Sequence, residues 1–242
     1  MSTSARSQRM YYEQTAHLYD AMQVSEGDEH FVALKYISAL VQAHSFSSIL
    51  DVGCGTGRGL SYFLKHLPGI TAHGVEPVEA LRAWAIEQNG IPSDLITLGT
   101  GEELPFPEKS FDAVCEIGVL HHVQRPENVV SEMMRVARKA IFLSDENRFA
   151  HGSSIARWGK LALCKMGLFQ AAYQIKTFGR GHRFSEGDGI AYSYSVYDAM
   201  DVLCEWGGRV MLIPTDDLRG SRSWLHPLMT SFHVLLCAFK ED

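Results

Sequence analysis

The stretch from Ser47 to Leu67 constrains the whole chain more than any other. A short β-branched and aliphatic run, SSILDVG, closes in the turn Asp51-Val52-Gly53-Cys54-Gly55-Thr56-Gly57, and a helix-like GLSYFLKHL follows at once. Glycines at such a strand-to-helix turn let the backbone take φ values closed to other residues and place no side chain in front of the main chain. A ligand can therefore lie directly against the backbone there.

The same alternation then recurs. ITAHGVEP precedes the helix-like VEALRAWAIEQNG, DLITLG precedes a loop, FDAVCEIG precedes PENVVSEMMRVAR, and AIFLSDE closes the series. Strands alternating with helices imply a parallel sheet, buried on both faces. The acidic residues that interrupt these apolar runs mark strand ends, where ligands sit in such sheets. Ahead of the first strand, Tyr11 to Met22 and Phe31 to Ala43 carry apolar residues at helical spacing, whereas residues 1–10 are small and polar and are expected to be loose. Near the other end, SYSVYDAMDVLCEWGG reads as a helix stopped by Gly207-Gly208, and RVMLIP and SFHVLLCAFK read as two closing strands forming an antiparallel edge pair.

Composition narrows the class. With 46% apolar and 21% charged residues the chain can bury a substantial core. Its net charge of −6 argues against a protein that coats nucleic acid. The five cysteines, Cys54, Cys115, Cys164, Cys204 and Cys237, form no CxxC pair, so neither a disulfide framework nor a metal site is expected. No run of ~18 apolar residues and no leader-like apolar start is present, which makes the cytoplasm the expected location.

The segment Asp51 to Gly57, GxGxG preceded by a strand-end acid, resembles motif I of the class I S-adenosylmethionine-dependent methyltransferases, of the type 11 or ubiquinone- and menaquinone-biosynthesis-like group. The resemblance spans roughly residues 11–146. It implies that Asp51, Gly53, Cys54, Gly55 and Gly57 hold the methionine part of S-adenosylmethionine, with S-adenosylhomocysteine as product. Glu76 and Pro77 end the second strand in HGVEP, 23 residues after Gly53 at the place of a ribose-binding acid, and a carboxylate there can accept both hydroxyls. Thr100-Gly101-Glu102 resembles the adenine segment. Family members usually carry Asp where Thr100 stands, so Thr100 Oγ or Glu102 is expected to substitute. Ile117 and Gly118 fall where the fourth strand meets the methionine, and Tyr12 and Tyr19 fall on a segment resembling a lid helix.

His121 is the candidate general base, because an imidazole titrates near neutrality; His122 and Glu146 are expected near the acceptor, with His151 close by. The expected fold class is α/β: a Rossmann-like seven-stranded, mostly parallel sheet with helices on both faces, an antiparallel last strand, and a helical cap inserted after the fifth strand. One domain is expected, with lid helices at 1–45, a cofactor-binding core at 46–146, a cap at 147–194, and a closing helix and strands at 195–242.

The cap is where the chain departs from its own average. Between Asn147 and Ser185 there is no acidic residue, while Arg148, Arg157, Lys160, Lys165, Lys176, Arg180 and Arg183 supply seven cations. Arg180 and Arg183, set among glycines, suit an anionic group, and the amphipathic run 155–166 suits peripheral contact with a membrane. The expected partner is a small-molecule acceptor, anionic or lipid-like, methylated on oxygen, nitrogen or carbon. RNA methylation is the alternative, weakened because the fourth strand lacks an Asn/Asp-Pro-Pro-aromatic motif. A non-catalytic cofactor-binding subunit is the other.

Overall fold

The computed structural model describes residues 3–23, 27–185, 189–216 and 225–241. Helices α1 (Thr3–Gln23) and α2 (Glu29–Ala43) lead into β1 (Ser48–Val52), α3 (Arg58–His66), β2 (Thr71–Glu76), α4 (Glu79–Glu87), β3 (Ile96–Leu98), β4 (Phe111–Ile117), α5 (Pro126–Val136) and β5 (Ala137–Glu146). The cap follows as α6 (Ser154–Lys165), α7 (Phe169–Lys176) and a hairpin of β6 (His182–Ser185) with β7 (Gly189–Tyr192). Finally α8 (Met200–Gly207) precedes β8 (Gly208–Pro214) and β9 (His233–Lys240).

The main sheet has seven strands in the order β3-β2-β1-β4-β5-β9-β8. The first five are parallel, and β9 runs antiparallel to both β5 and β8. Strand order reverses between β1 and β4, which opens a crevice above their carboxyl ends. Successive residues of a strand face opposite sides, so each strand feeds two cores. Leu50, Val114, Ile141 and Leu236 pack with Met133 and Leu203 on one face. Ile49, Ala113, Phe142 and Leu235 pack with Leu34, Ile37 and Phe63 on the other.

One sequence expectation changes at the start of the chain. Residues 3–10 are helical rather than loose, because Gln8 is buried and its Oε1 accepts from Ile190 N–H at 2.5 Å, tying the start of α1 to β7. At Ala137-Arg138-Lys139-Ala140 no loop intervenes: α5 passes directly into β5, and the pairing of β4 with β5 shifts register between Phe111 and Ala113. The two closing strands form the expected antiparallel pair, with β8 on the edge and β9 set between β5 and β8, buried along its centre.

Candidate functional site

The turn after β1 is built by its glycines. Gly53, Gly55 and Gly57 all have positive φ, at 75°, 55° and 82°. The N–H groups of Gly53 and Cys54 both donate to Val75 O, at 2.8 and 3.1 Å, which folds the turn back over β2. A β-carbon on Gly53 would stand 2.6 Å from a Val119 methyl. One on Gly55 would instead come into ordinary contact with the Tyr19 side chain, its hydroxyl oxygen 3.7 Å away, so Gly55 lies beneath that tyrosine.

A cavity of about 470 Å³ lies against this turn. Its walls include Gly53 and Gly55, Glu76 and Pro77, Thr100 to Glu102, and Ile117 and Gly118. Most of the expected cofactor residues therefore converge on one space. Tyr12 and Tyr19 of α1 close it, joined by Gln8 and Arg9, which sequence reasoning missed. The Arg9 guanidinium donates to Pro77 O, and Tyr12 Oη bonds His122 Nε2 at 3.1 Å.

Glu76 sits at the base of this cavity, 3% exposed. Its Oε2 accepts from Gly55 N–H and its Oε1 from Val78 N–H, both at 2.8 Å. Each oxygen keeps a further lone pair for a ligand hydroxyl. Burial still pushes this carboxyl up to about 7 against those two N–H groups, with the charge of Asp51 adding to the rise. Asp51, also buried, is raised to about 7 by loss of solvent, partly offset by the Cys115 thiol.

A second, inner cavity of about 250 Å³ shares Tyr19, Gly53, Ile117, Gly118 and His122 with the first and adds Asp51, Cys54, His121 and Glu146. Its remaining polar wall comes from Thr56 and Arg58 beside the turn and from chain-distant residues, Glu29 and His30 at the start of α2 and His233 at the start of β9. Glu29, His30 and His233 bring ligand-type atoms within 4.8 Å of one another. Burial, reinforced by His233, holds the His30 imidazole down to about 4, so it stays neutral at physiological pH.

His121 lines the inner cavity from a short 3₁₀ turn, and its Nδ1 lies 2.7 Å from Asp145 Oδ1. Asp145 is fully buried at the carboxyl end of β5 and also accepts from Leu120 N–H at 2.8 Å and Glu146 N–H at 2.5 Å. Burial alone would raise its carboxyl; the charge and hydrogen bond of His121 and the Glu146 N–H outweigh it and hold Asp145 at about 2. His122 does a different job. Its Nδ1 donates to Ile190 O at 2.7 Å while its ring packs edge-on against Tyr12, so it fastens both α1 and β7.

The cap residues are placed apart from both cavities. Arg180 lines a third cavity of about 790 Å³, which adjoins the first through Val123, Gln124 and Tyr192. Arg183 is exposed on β6. His151 packs on Phe232 and does not line the inner cavity.

Residues 50–143 match the family profile described as a methyltransferase domain. This chain carries a class I S-adenosylmethionine-dependent methyltransferase domain. The cofactor of that family fits what is present: a glycine cradle open to the cavity, a buried carboxylate at the ribose position, and a strand-end acid beside the turn. The chain is 35% identical over 106 residues to a phosphatidylethanolamine N-methyltransferase of Cereibacter sphaeroides, covering 42% of this chain and 51% of that protein. It is 30% identical over 118 residues to a fatty-acid O-methyltransferase of Mycolicibacterium smegmatis, covering 48% and 43%. The chain spans about a quarter to a half of the length of the curated relatives it matches. Among solved structures, the Burkholderia thailandensis 1,6-didemethyltoxoflavin-N1-methyltransferase, with bound 1,6-didemethyltoxoflavin and S-adenosylhomocysteine, shares the methyltransferase fold: TM-score 0.59, 17% identity, 98% of this chain and 89% of that one.

Proposed function

We propose that this chain transfers the methyl group of S-adenosylmethionine to a hydroxyl of a small anionic or lipid-like acceptor. The observation that carries the reading is the His121–Asp145 pair, at 2.7 Å, on the wall of a cavity that joins the cofactor cavity at Gly53, Ile117 and Gly118. When bound, the cofactor supplies a methyl already activated on sulfonium. What remains for the chain is alignment, exclusion of water and, for a hydroxyl, removal of one proton.

The residues divide accordingly. Asp51 and the Gly53–Gly57 turn hold the methionine end, Glu76 accepts from the ribose hydroxyls, and Thr100, Gly101 and Glu102 edge the adenine. Tyr19 and Tyr12 cover the site from α1, held there by His122. Asp145 fixes the proton of His121 on Nδ1, which leaves Nε2 as the basic nitrogen that takes the acceptor proton. Glu146, His30 and His233 orient the acceptor in the inner cavity. An anionic portion reaches Arg180 by way of the third cavity, which adjoins the first.

Support for an anionic or lipid-like acceptor comes from the seven cations and no acids between Asn147 and Ser185, and from the names of the two relatives above. The test is calorimetry with S-adenosylmethionine and S-adenosylhomocysteine, followed by transfer assays over matched acceptors with a hydroxyl or an amine, with and without an acidic group. Binding of both cofactor forms and preferred turnover of acidic hydroxyl acceptors, with a higher KM for Arg180→Ala, is the expected result. Absence of cofactor binding, or equal turnover of neutral acceptors, overturns it.

A further inference from the structure

Among the described residues, half of the fourteen large apolar side chains left exposed lie between Ile155 and Phe184. Helix α6 has no buried residue at all. At 100° per residue, Ile155, Trp158, Ala162 and Met166 fall within an arc of about 80° on that helix. Ile155 is 86% exposed, and Leu168, in the turn to α7, continues the apolar run. At the end of α7, Ile175 and Phe178 stand 79% and 89% in solvent. Solvated positions of this kind are ordinarily polar, and so many large apolar groups gathered in one segment mark an interaction surface.

The cations of this segment sort themselves by direction. Arg157 turns inward and donates to Gly152 O and Met229 O, at 2.9 and 3.0 Å. Lys160 likewise donates to Arg148 O and His151 O, and Arg148 pairs with Asp198. These three serve the fold. Lys165 and Lys176 remain exposed in the last turns of α6 and α7, beside the apolar stripe and with no acidic residue in the segment to offset them.

We propose that the outer face of α6 and α7 docks this protein on an anionic lipid bilayer. Apolar side chains flanked by lysines match the acyl boundary and the anionic headgroups together. A second copy of the chain fits less well, because pairing this face with itself would set like charges opposite each other. Nucleic acid would leave Ile155, Ile175 and Phe178 in water. The surface stands apart from the cavities that hold cofactor and acceptor, so its failure and that of methyl transfer are separable.

The test is co-sedimentation of the full chain with phosphatidylcholine vesicles, alone or mixed with phosphatidylglycerol. Binding should require phosphatidylglycerol, fall with added salt, and weaken about fivefold for each of Lys165→Glu and Lys176→Glu. Trp158→Ser combined with Phe178→Ser should weaken it about tenfold or more, while Leu64→Ser with Leu98→Ser, exposed apolar positions elsewhere, should bind as the parent does. Calorimetry with S-adenosylmethionine should be unchanged in all of these variants, showing that they fold. No binding to phosphatidylglycerol vesicles, equal binding by the cap variants, or a dimer in sedimentation equilibrium that those variants dissolve would each overturn the proposal.

Discussion

Lowering the pH from 7 to 6 should weaken S-adenosylmethionine binding, and Asp51 and Glu76 should account for the loss. Both carboxyls are buried, and burial raises each to about 7 in the cofactor-free protein. In the proposed site the cofactor's ammonium and ribose hydroxyls would favour the ionised forms, so binding would draw both carboxyls toward their ordinary range and release protons. A carboxyl at about 7 is half ionised at pH 7 and about one-tenth ionised at pH 6, so each group that must ionise weakens binding about fivefold over that unit, and the pair about twenty- to thirtyfold. Stability moves the opposite way. The folded-state values lie above the unfolded ones, so the native protein holds more protons between about pH 4 and 7, and the cofactor-free melting temperature should rise as pH falls through 7. Calorimetry at pH 7 and 6, in two buffers of different ionisation enthalpy, measures affinity and proton release together. Release of about one to two protons at pH 6 is expected, with Asp51→Asn and Glu76→Gln each removing one share of the pH dependence. Affinity that stays flat from pH 7 to 6 with no proton release would refute the reasoning.

Other consequences follow from single contacts. His121→Ala and Asp145→Asn should each lower kcat by about a hundredfold or more on a hydroxyl acceptor while the cofactor Kd, read by calorimetry, holds. Gly53→Ala, with its φ of 75° and a Val119 methyl 2.6 Å from the new carbon, should destabilise the fold by about 2–5 kcal/mol in denaturant titration and abolish cofactor binding. Asn147 is fully buried; it donates to Leu228 O and Ser231 O at 2.8 Å and accepts from Phe149 N–H and Ser195 Oγ. Asn147→Ala should therefore lower stability by about 2–4 kcal/mol, seen as a shifted unfolding midpoint.

What the sequence revealed depended on how far apart the cooperating residues lie in the chain. Asp51 to Gly57 is one continuous turn whose backbone demands are written in its own glycines, and Glu76 and Thr100 to Glu102 follow at the ends of neighbouring parallel strands, so much of the wall of the first cavity could be picked out from the chain, although Asp51, Cys54 and Gly57 do not line it. The inner cavity could not be read this way. His30 and His233 face each other edge-on, 5.1 Å between ring centres, only because the start of α2 and the start of β9 reach the same end of the sheet. No spacing rule connects positions some 200 apart. Asp145 escaped for a subtler reason: SDE at the end of β5 offered two acids, and only three-dimensional register turned Asp145 inward onto His121 while Glu146 reached the cavity. The cap shows the converse error. Counting cations treated Arg148, Arg157 and Lys160 as surface charge, yet on α6 Arg157 and Lys160 lie on the side away from Ile155 and Met166, and a carbonyl rather than a ligand receives each of them.

The arrangement at the ends of β4 and β5 bears on how the proposed base would operate in so enclosed a place. Glu116 and Asp145, both fully buried, sit close enough that each disfavours charge on the other. The competition is settled by partners. Burial and the charge of Asp145 drive Glu116 well above the usual carboxylate range, whereas His121 and backbone N–H groups keep Asp145 ionised. One negative charge therefore faces His121 instead of two or none. Without that charge, an imidazolium formed during transfer would stand without a counter-charge in a low-dielectric site. On the proposed mechanism, a neutral Glu116 beside an ionised Asp145 thus leaves a single counter-charge for the imidazolium that forms when His121 takes the acceptor proton.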